Sequence, residues 1–537
     1  MLATTLPPFD TSARPQWQSA LVILLAALVC LPWFDVELAN TQPWSETKRL
    51  LAGLVRPQFA IDGLFTAIGY TLAVALQAVT AAALFGFLLA NIYNWPGVTA
   101  LMTVLRSVHE IFWALLILQV LGLSQLTGVL ALAIPYAATF ARVFAEILQE
   151  TPSYPSRQIP GGNLSRFIFS TLPLAWPRLS TYFRYRLECA LRASVVLGFV
   201  GLPTLGYLLE GYLKQGSYRE VTALLMLFIG LVLVQRWWAR GPVAWGLLLV
   251  SLWWLPPLAG VAWQPSLFGQ LLKDFTPAPL RGEWSSDTLA QLWHWFVPLW
   301  SEQMLPGIAN TLVLGQLALL LAGALALMWF PLVSPGCVPS LWTRRLGHGF
   351  LVVMRSLPEI LLAFFGLIFF GPSLLPGVLA LGLHNAAILA HLVGTYSGEL
   401  NLRADAPTGW NCYFYELLPR LYGQFLSFTL YRWETILRET AILGMLGIPT
   451  LGFFIDSAFE DFRLDRAVLL IAASAVLNIV AERLAHWLRH RKTDKASQHR
   501  GRNPEGQPVA ESGPGQVGGH GGSLPDLKWD DLRRASR

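Results

Sequence analysis

Four pairs of opposite charge recur at a spacing of four in an otherwise apolar chain: Arg106 with Glu110, Arg355 with Glu359, Glu188 with Arg192, and Glu434 with Arg438. On a helix, residues four apart share a face, and Glu ahead of Arg is the better order. A charge at mid-bilayer costs about 2.5–3.5 kcal/mol on insertion scales, so such groups are expected to pair or to face a wet cavity. Two uses follow: clamping one helix on another, or touching an anionic ligand. A second candidate is the repeated segment Gly-x-Pro-Thr-Leu-Gly, at 201–206 and again at 447–452. Its Pro203, Thr204, Pro449 and Thr450 interrupt helices. Broken helices free backbone groups that can hydrogen-bond an oxyanion, which is tolerable only where they are buried or line a cavity. A simple kink with no ligand is the alternative reading.

Other chemistries are not indicated. None of the six lysines follows a glycine, so no phosphate-cradling G-x-x-x-x-G-K-[ST] loop exists. Cys30, Cys189, Cys337 and Cys412 are scattered, which argues against a disulfide framework or a zinc site. His384 and His391 lie seven apart without a partner histidine or acid, which reads as packing or cavity lining rather than metal binding. No nucleophile–base constellation stands out, so an enzyme is not expected. A net charge of +6 is too modest to argue for nucleic acid.

The elements that must position these residues are membrane helices. Hydrophobic residues make up 54% of the chain and charged ones only 13%, with a mean hydropathy of +0.50. Soluble chains carry about 25% charge. The 22 tryptophans suit rings held at the headgroup level. A spanning helix needs about 20 apolar residues. Candidate spans fall at 18–34, 67–91, 103–122, 126–148, 191–212 and 221–238, then at 243–262, 308–331, 347–370, 374–397, 438–457 and 466–488. That predicts about twelve spans, six per half.

The halves repeat each other. RSVHEI at Arg106 is echoed by RSLPEI at Arg355, 249 positions on; YRLECALR at Tyr185 is echoed by YRWETILR at Tyr431, 246 positions on. An even number of spans per copy makes the repeat parallel. The expected divisions are an N-terminal cytoplasmic segment (1–17), repeat 1 (18–240), repeat 2 (241–489) and a disordered tail (490–537), rich in Gly, Ser, Pro and charge. Short cytoplasmic loops carry excess Lys and Arg. Arg157, Arg166, Arg178, Arg184 and Arg186 in the loop 149–190, Arg236 and Arg240 in the link, Arg344 and Arg345, and the start of the tail all lie on one side if both termini are cytoplasmic.

Several of these motifs resemble the membrane permeases of ABC importers, and most closely the phosphonate/phosphite/phosphate-type family. The carrying residues are R-S-x-P-E-I from Arg355, G-V-L-A-L from Gly377, Leu418-Pro419, L-Y-R-W-E from Leu430, Arg438, and A-I-L-G from Ala441. The resemblance implies an all-α integral membrane fold of two six-helix permease repeats, like a type I importer, in a bacterial inner membrane. It implies that the chain forms a pathway for a small oxyanion such as phosphonate, phosphite or phosphate. The implied partners are a cytoplasmic ABC ATPase dimer, which would use the ATP, and an extracytoplasmic substrate-binding protein; no cofactor is implied in this chain. In such permeases a short helix in the loop between spans four and five couples to the ATPase, and a Leu-Pro closes it. The corresponding positions are Leu402, Arg403, Ala404, Ala406, Leu418 and Pro419, with Leu172 and Pro173 in the first half, whose loop is broken by Pro152, Pro155 and Pro160. At Pro203-Thr204 and Pro449-Thr450 the chain departs from the Gly-Gly of the family, which bears on the substrate. Two rivals are an ion-gradient-driven secondary transporter and a membrane scaffold subunit without transport of its own.

Overall fold

The computed structural model of the chain describes residue 21 and residues 24–34, 43–152, 162–258, 265–282, 285–400, 402, 403 and 405–500. The expected N-terminal segment to 17, Ala404, Pro155, Pro160 and the tail beyond 500 lie outside the described residues. Every element of the described chain is helical. In the first half these are α1 (Pro43–Val55), α2 (Leu64–Ala90), α3 (Pro96–Ser107), α4 (Glu110–Leu121), α5 (Gln125–Glu150), α6 (Leu172–Val196), α7 (Leu205–Lys214) and α8 (Tyr218–Trp238). In the second they are α9 (Gly241–Trp254), α10 (Pro265–Phe275), α11 (Thr288–Pro298), α12 (Leu305–Trp329), α13 (Leu341–Ser356), α14 (Glu359–Phe370), α15 (Leu374–Ser397), α16 (Leu418–Gly444), α17 (Leu451–Glu460) and α18 (Leu464–Arg500).

Six of the helical stretches are long and apolar enough to cross a membrane: α2, α5, residues of α8, the continuous run Thr288–Leu332 through α11 and α12, α15, and the first 25 residues of α18. Three bent pairs, α3/α4 by 91°, α13/α14 by 85°, and α6/α7 by 52°, bring the number to nine if each pair is one crossing. Among the described residues, six to nine of the about twelve spans expected from hydropathy meet these criteria, with the shorter apolar helix α9 besides. Apolar composition does not register a bend, so 103–122 and 347–370 looked like single helices. The candidate 243–262 holds the 14-residue apolar helix α9 and, like 18–34, is partly outside the described chain. Helix α18 continues past residue 490, to Arg500.

The expected loop 149–190 and its counterpart are mostly helix. A short turn, Asn163–Arg166, enters a π-helical turn at Phe167–Thr171 and then α6; Trp410–Cys412, Tyr413–Leu417 and α16 repeat this 246 positions later. Pro173 and Pro419 sit in the first turn of α6 and α16, and a proline cannot donate a backbone hydrogen bond back to the preceding turn. The wider π turn just before it accommodates that loss. Hydropathy misses these helices because their cavity-facing side is charged.

The halves interlock. Ala27 and Cys30, from the first half, pack with Leu314, Leu381 and Ile436 of the second. Conversely α9 lies on α2: Gln77 donates to the carbonyl oxygens of Ser251 and Leu255, both at 3.0 Å. A Cβ on Gly69 would come within 2.1 Å of the Trp254 ring, so only glycine permits this contact. A shared apolar core joins Ile111, Val195 and Leu205 to Ile360, Ala441 and Leu451. Outward-facing Leu84, Phe85, Leu88, Trp253, Val476 and Val480 are exposed, an apolar surface suited to lipid.

Candidate functional site

The chain breaks twice where it repeats R-S-x-x-E-I. Helix α3 ends at Ser107 and α4 begins at Glu110; α13 ends at Ser356 and α14 begins at Glu359. Val108 and Leu357 are extended, with ψ of 129° and 125°. In the second half Pro358 explains this, because the residue before a proline is pushed out of the helical region. In the first half His109 does the same work by capping: its Nδ1 accepts from the backbone N–H of Ile111 at 3.2 Å. Arg106 and Glu110 therefore stand on different helices, as do Arg355 and Glu359. The i,i+4 ion pairs expected from their spacing are not formed.

Each break leaves carbonyl groups without helical partners, and the opposite half supplies donors. Arg438 Nη1 donates to the carbonyl oxygen of Arg106 at 3.3 Å, and Asn478 Nδ2 to that of Ser107 at 2.9 Å. In mirror fashion Arg192 Nη1 donates to the carbonyl oxygen of Arg355 at 3.4 Å. Arg192 also lies 3.0 Å from His384 Nε2, while His384 Nδ1 lies 3.0 Å from the carbonyl oxygen of Leu357. A neutral ring with its proton on Nδ1 satisfies both contacts. Among the described residues, neither Arg192 nor Arg438 forms an ion pair with the glutamate four positions before it. The expected clamp within one helix is replaced by a clamp between halves.

Ion pairs surround the breaks. Arg106 pairs with Glu482 and, at 3.8 Å, with Glu434, both from the second half. Arg142 pairs with Glu482 at 2.8 Å and with Glu146 at 3.1 Å. Arg432 donates to Asn385 at 2.6 Å and lies 3.5 Å from Glu439. Arg186 donates to the Tyr182 hydroxyl at 2.9 Å, its guanidinium 5.1 Å from the centre of the Tyr136 ring. The sequence alone had not singled out Arg142, Glu439 or Glu482, and had pointed to Arg186 only as a loop charge and to Arg432 only within a motif. The available signal was simple: Arg142 and Glu482 are charges inside apolar spans, and such groups mark function by default.

These side chains line one cavity of about 1360 Å³ between the halves. All eight predicted charged residues, Arg106, Glu110, Glu188, Arg192, Arg355, Glu359, Glu434 and Arg438, face it. Glu150 and Arg178, paired at 3.2 Å and about half exposed, stand at its mouth, beside the ends of α5 and α6. At the far end lie Val196 and Ile442, which belong to the apolar core shared by the two halves. The cavity is thus open toward the end with the arginine-rich connections and sealed by packed aliphatic side chains at the other. No cluster of metal-ligating residues occurs among the described residues.

Pro203, Thr204, Pro449 and Thr450 are not in this cavity. Thr204 and Thr450 are fully buried, and the first N–H groups of α7 and α17 are taken: Leu205 N donates to Thr71 Oγ1 at 2.9 Å and Leu451 N to Thr311 Oγ1 at 3.1 Å. The kink serves packing. A Cβ on Gly206 would stand 1.7 Å from the Val195 carbonyl oxygen, and one on Gly452 2.2 Å from that of Ala441. Gly201 and Gly447 turn the chain at φ of 96° and 82°, where glycine is the natural choice.

The loop of the second half carries no short helix among its described residues. Leu402, Arg403 and Ala406 are irregular, and Pro407 with Gly409 at φ of 70° prevents a helix there. Arg403 folds back to Glu416 at 2.5 Å, and Arg420 approaches the same carboxylate at 3.5 Å. Leu172-Pro173 and Leu418-Pro419 open the long helices α6 and α16. Only Pro152 and Gly162 of the corresponding first-half stretch are described.

Comparison with known proteins gives a consistent picture. No protein-family model matches the chain, and no solved structure does. The chain is 25% identical over 467 residues to the phosphate-import permease protein PhnE of Mycolicibacterium smegmatis, covering 80% of this chain and 85% of that one. It is 31% identical over 135 residues to the phosphite transport system permease protein PtxC of Stutzerimonas stutzeri, covering 25% of this chain and 49% of that one. It is 25% identical over 117 residues to a putative cryptic phosphonate transport system permease protein of Escherichia coli, covering 20% of this chain and 96% of that one. Its homologues are therefore transport permeases.

Proposed function

We propose that this chain, a homologue of phosphate, phosphite and phosphonate transport permeases, is the multi-pass inner-membrane permease of an ATP-driven importer of such oxyanions, with both halves of the pathway in one polypeptide. The observation that carries this reading is the cavity: eight charges matched between two sequence repeats converge on one space between the halves, with an apolar seal at one end. The arginine-rich mouth is the cytoplasmic side by the positive-inside rule, so this is the inward-open arrangement. Guanidinium groups in such a space attract a phosphorus oxyanion through charge-assisted hydrogen bonds.

Transport then needs the seal and the mouth to open alternately. Arg192 and Arg438 tie each half to the broken helix of the other, so rotation of the halves must carry the breaks along. An ATPase dimer docked at the cytoplasmic end would drive that rotation through the segments before α6 and α16, and an extracytoplasmic binding protein would deliver the substrate. The separate chains would hold the nucleotide; this chain would do no chemistry of its own. The test is uptake of labelled phosphate, phosphite and methylphosphonate by cells lacking this chain and by the same cells with it restored, joined to co-purification of an ATPase. Restored uptake together with a bound ATPase supports the reading. Uptake that persists without any ATPase favours an ion-driven carrier, and no uptake at all favours a scaffold.

A further inference from the structure

The two walls of the cavity are electrostatically unlike, and the difference falls at matched positions. Arg106 is held by the carboxylates of Glu434 and Glu482. Arg355, its counterpart 249 positions on, has no carboxylate within ion-pairing distance among the described residues; its Nε, like that of Arg106, lacks a hydrogen-bond partner. The same offset places His391 where the first half has Arg142, which is paired with Glu146 and Glu482. His391 is only 7% exposed, lines the cavity, and has neither ring nitrogen hydrogen-bonded. His348 lines the cavity beside it, the two rings meeting edge to face with centroids 5.9 Å apart. Buried polar atoms are almost always paired, and leaving one unpaired is costly. A guanidinium without a carboxylate beside it suits an anion with several acceptor oxygens, and a neutral imidazole can donate one N–H to such an ion.

We infer that Arg355, His348 and His391 form an oxyanion subsite on the second half's wall, where a phosphorus oxyanion is held during its passage. This rests on the transport reading above. Arg355 offers a planar fork of donors that matches two oxygens of a tetrahedral oxyanion, and each imidazole adds one N–H. The cavity is far larger than such an ion, so a local site is what gives the ion a defined position. On the first half's wall the corresponding arginines already have their charge paired with protein carboxylates. The subsite therefore belongs to one half only, and the ion travels with that half when the two separate.

The probe is inorganic phosphate, titrated into the purified full chain against chloride at equal ionic strength, with the thermal midpoint as readout. Phosphate is expected to raise the midpoint saturably. His391→Gln, His348→Gln and Arg355→Gln should each weaken the apparent affinity at least tenfold, whereas His294→Gln on α11, exposed and outside the cavity, should leave it within twofold. Unmodified protein gives a second measurement that no folding defect can obscure: arsenate soaked into crystals should show its anomalous peak against Arg355 and His391. An unchanged affinity in the His391 and Arg355 variants, no phosphate-specific stabilisation, or an arsenate peak elsewhere overturns the subsite. Uptake of phosphate without such binding would remove the subsite and leave the transport reading standing; binding at the cluster without uptake of any phosphorus oxyanion would do the reverse.

Discussion

Arg438 donates its Nη1 to the backbone carbonyl oxygen of Arg106, 332 positions away in sequence, at 3.3 Å. The matched donor Arg192 reaches the carbonyl of Arg355 at 3.4 Å. Each half thus completes the broken helix of the other, and the two sequence copies make one site rather than two. If this tie transmits motion, Arg192→Gln or Arg438→Gln should cut uptake at least tenfold, and the double variant should abolish it. A hydrogen bond to a charged group contributes about 1.5–3 kcal/mol, enough for that loss. Normal uptake by both single variants, with normal amounts of protein in the membrane, contradicts the role.

Glu482 neutralises Arg106 and Arg142 together. Removing one partner of a buried ion pair costs about 3–5 kcal/mol; here the glutamate is 17% exposed, so the lower end applies. Glu482→Gln should lower the thermal midpoint of the purified chain clearly, and Arg142→Gln added to it should cost less than the two changes summed. Strict additivity would show that the arginines do not share this carboxylate.

The kinks between α6 and α7 and between α16 and α17 depend on bare backbone contact. Gly206→Ala and Gly452→Ala place a Cβ within 1.7 Å and 2.2 Å of carbonyl oxygens. Overpacking of this kind costs about 1–3 kcal/mol or more, and the folded yield should fall sharply. Gly211→Ala, in the same helix as Gly206 but with nothing within 4 Å of its new Cβ, should behave as the parent. Equal yields for Gly206→Ala and Gly211→Ala would show that the close approach is not required.

Thr71 and Thr311 hold the first N–H groups of α7 and α17. Losing a helix cap costs about 1 kcal/mol. Thr71→Val and Thr311→Val should therefore lower stability modestly while leaving the preference among phosphate, phosphite and methylphosphonate unchanged, because these kinks stand outside the cavity. A changed preference, measured by competitive uptake, would put the kinks back in the pathway.

Much of this was legible in the residues. The paired charges at 106, 110, 188, 192, 355, 359, 434 and 438 were identifiable by spacing, and all of them face the cavity. Their partners were not. Spacing of four predicts contact only along an unbroken helix, and Ser107-Val108-His109 and Ser356-Leu357-Pro358 break it. The proline before Glu359 announced one break; its counterpart uses a histidine cap, which hydropathy cannot reveal. The charged cavity face of α6 and α16 likewise kept the polar first halves of these helices out of the spans expected from hydropathy. Cross-half contacts such as Arg106 with Glu482 connect residues 376 positions apart, a distance at which local pattern carries no information.

The most direct measurement is ATP-dependent uptake of labelled phosphate and methylphosphonate by cells lacking this chain, complemented with the unmodified protein or with the Arg192→Gln, Arg438→Gln double variant. The account predicts uptake that the unmodified protein restores, that vanadate blocks, that survives collapse of the proton gradient, and that the double variant lacks. Uptake abolished by collapsing the gradient but insensitive to vanadate, or undiminished in the double variant, would contradict it.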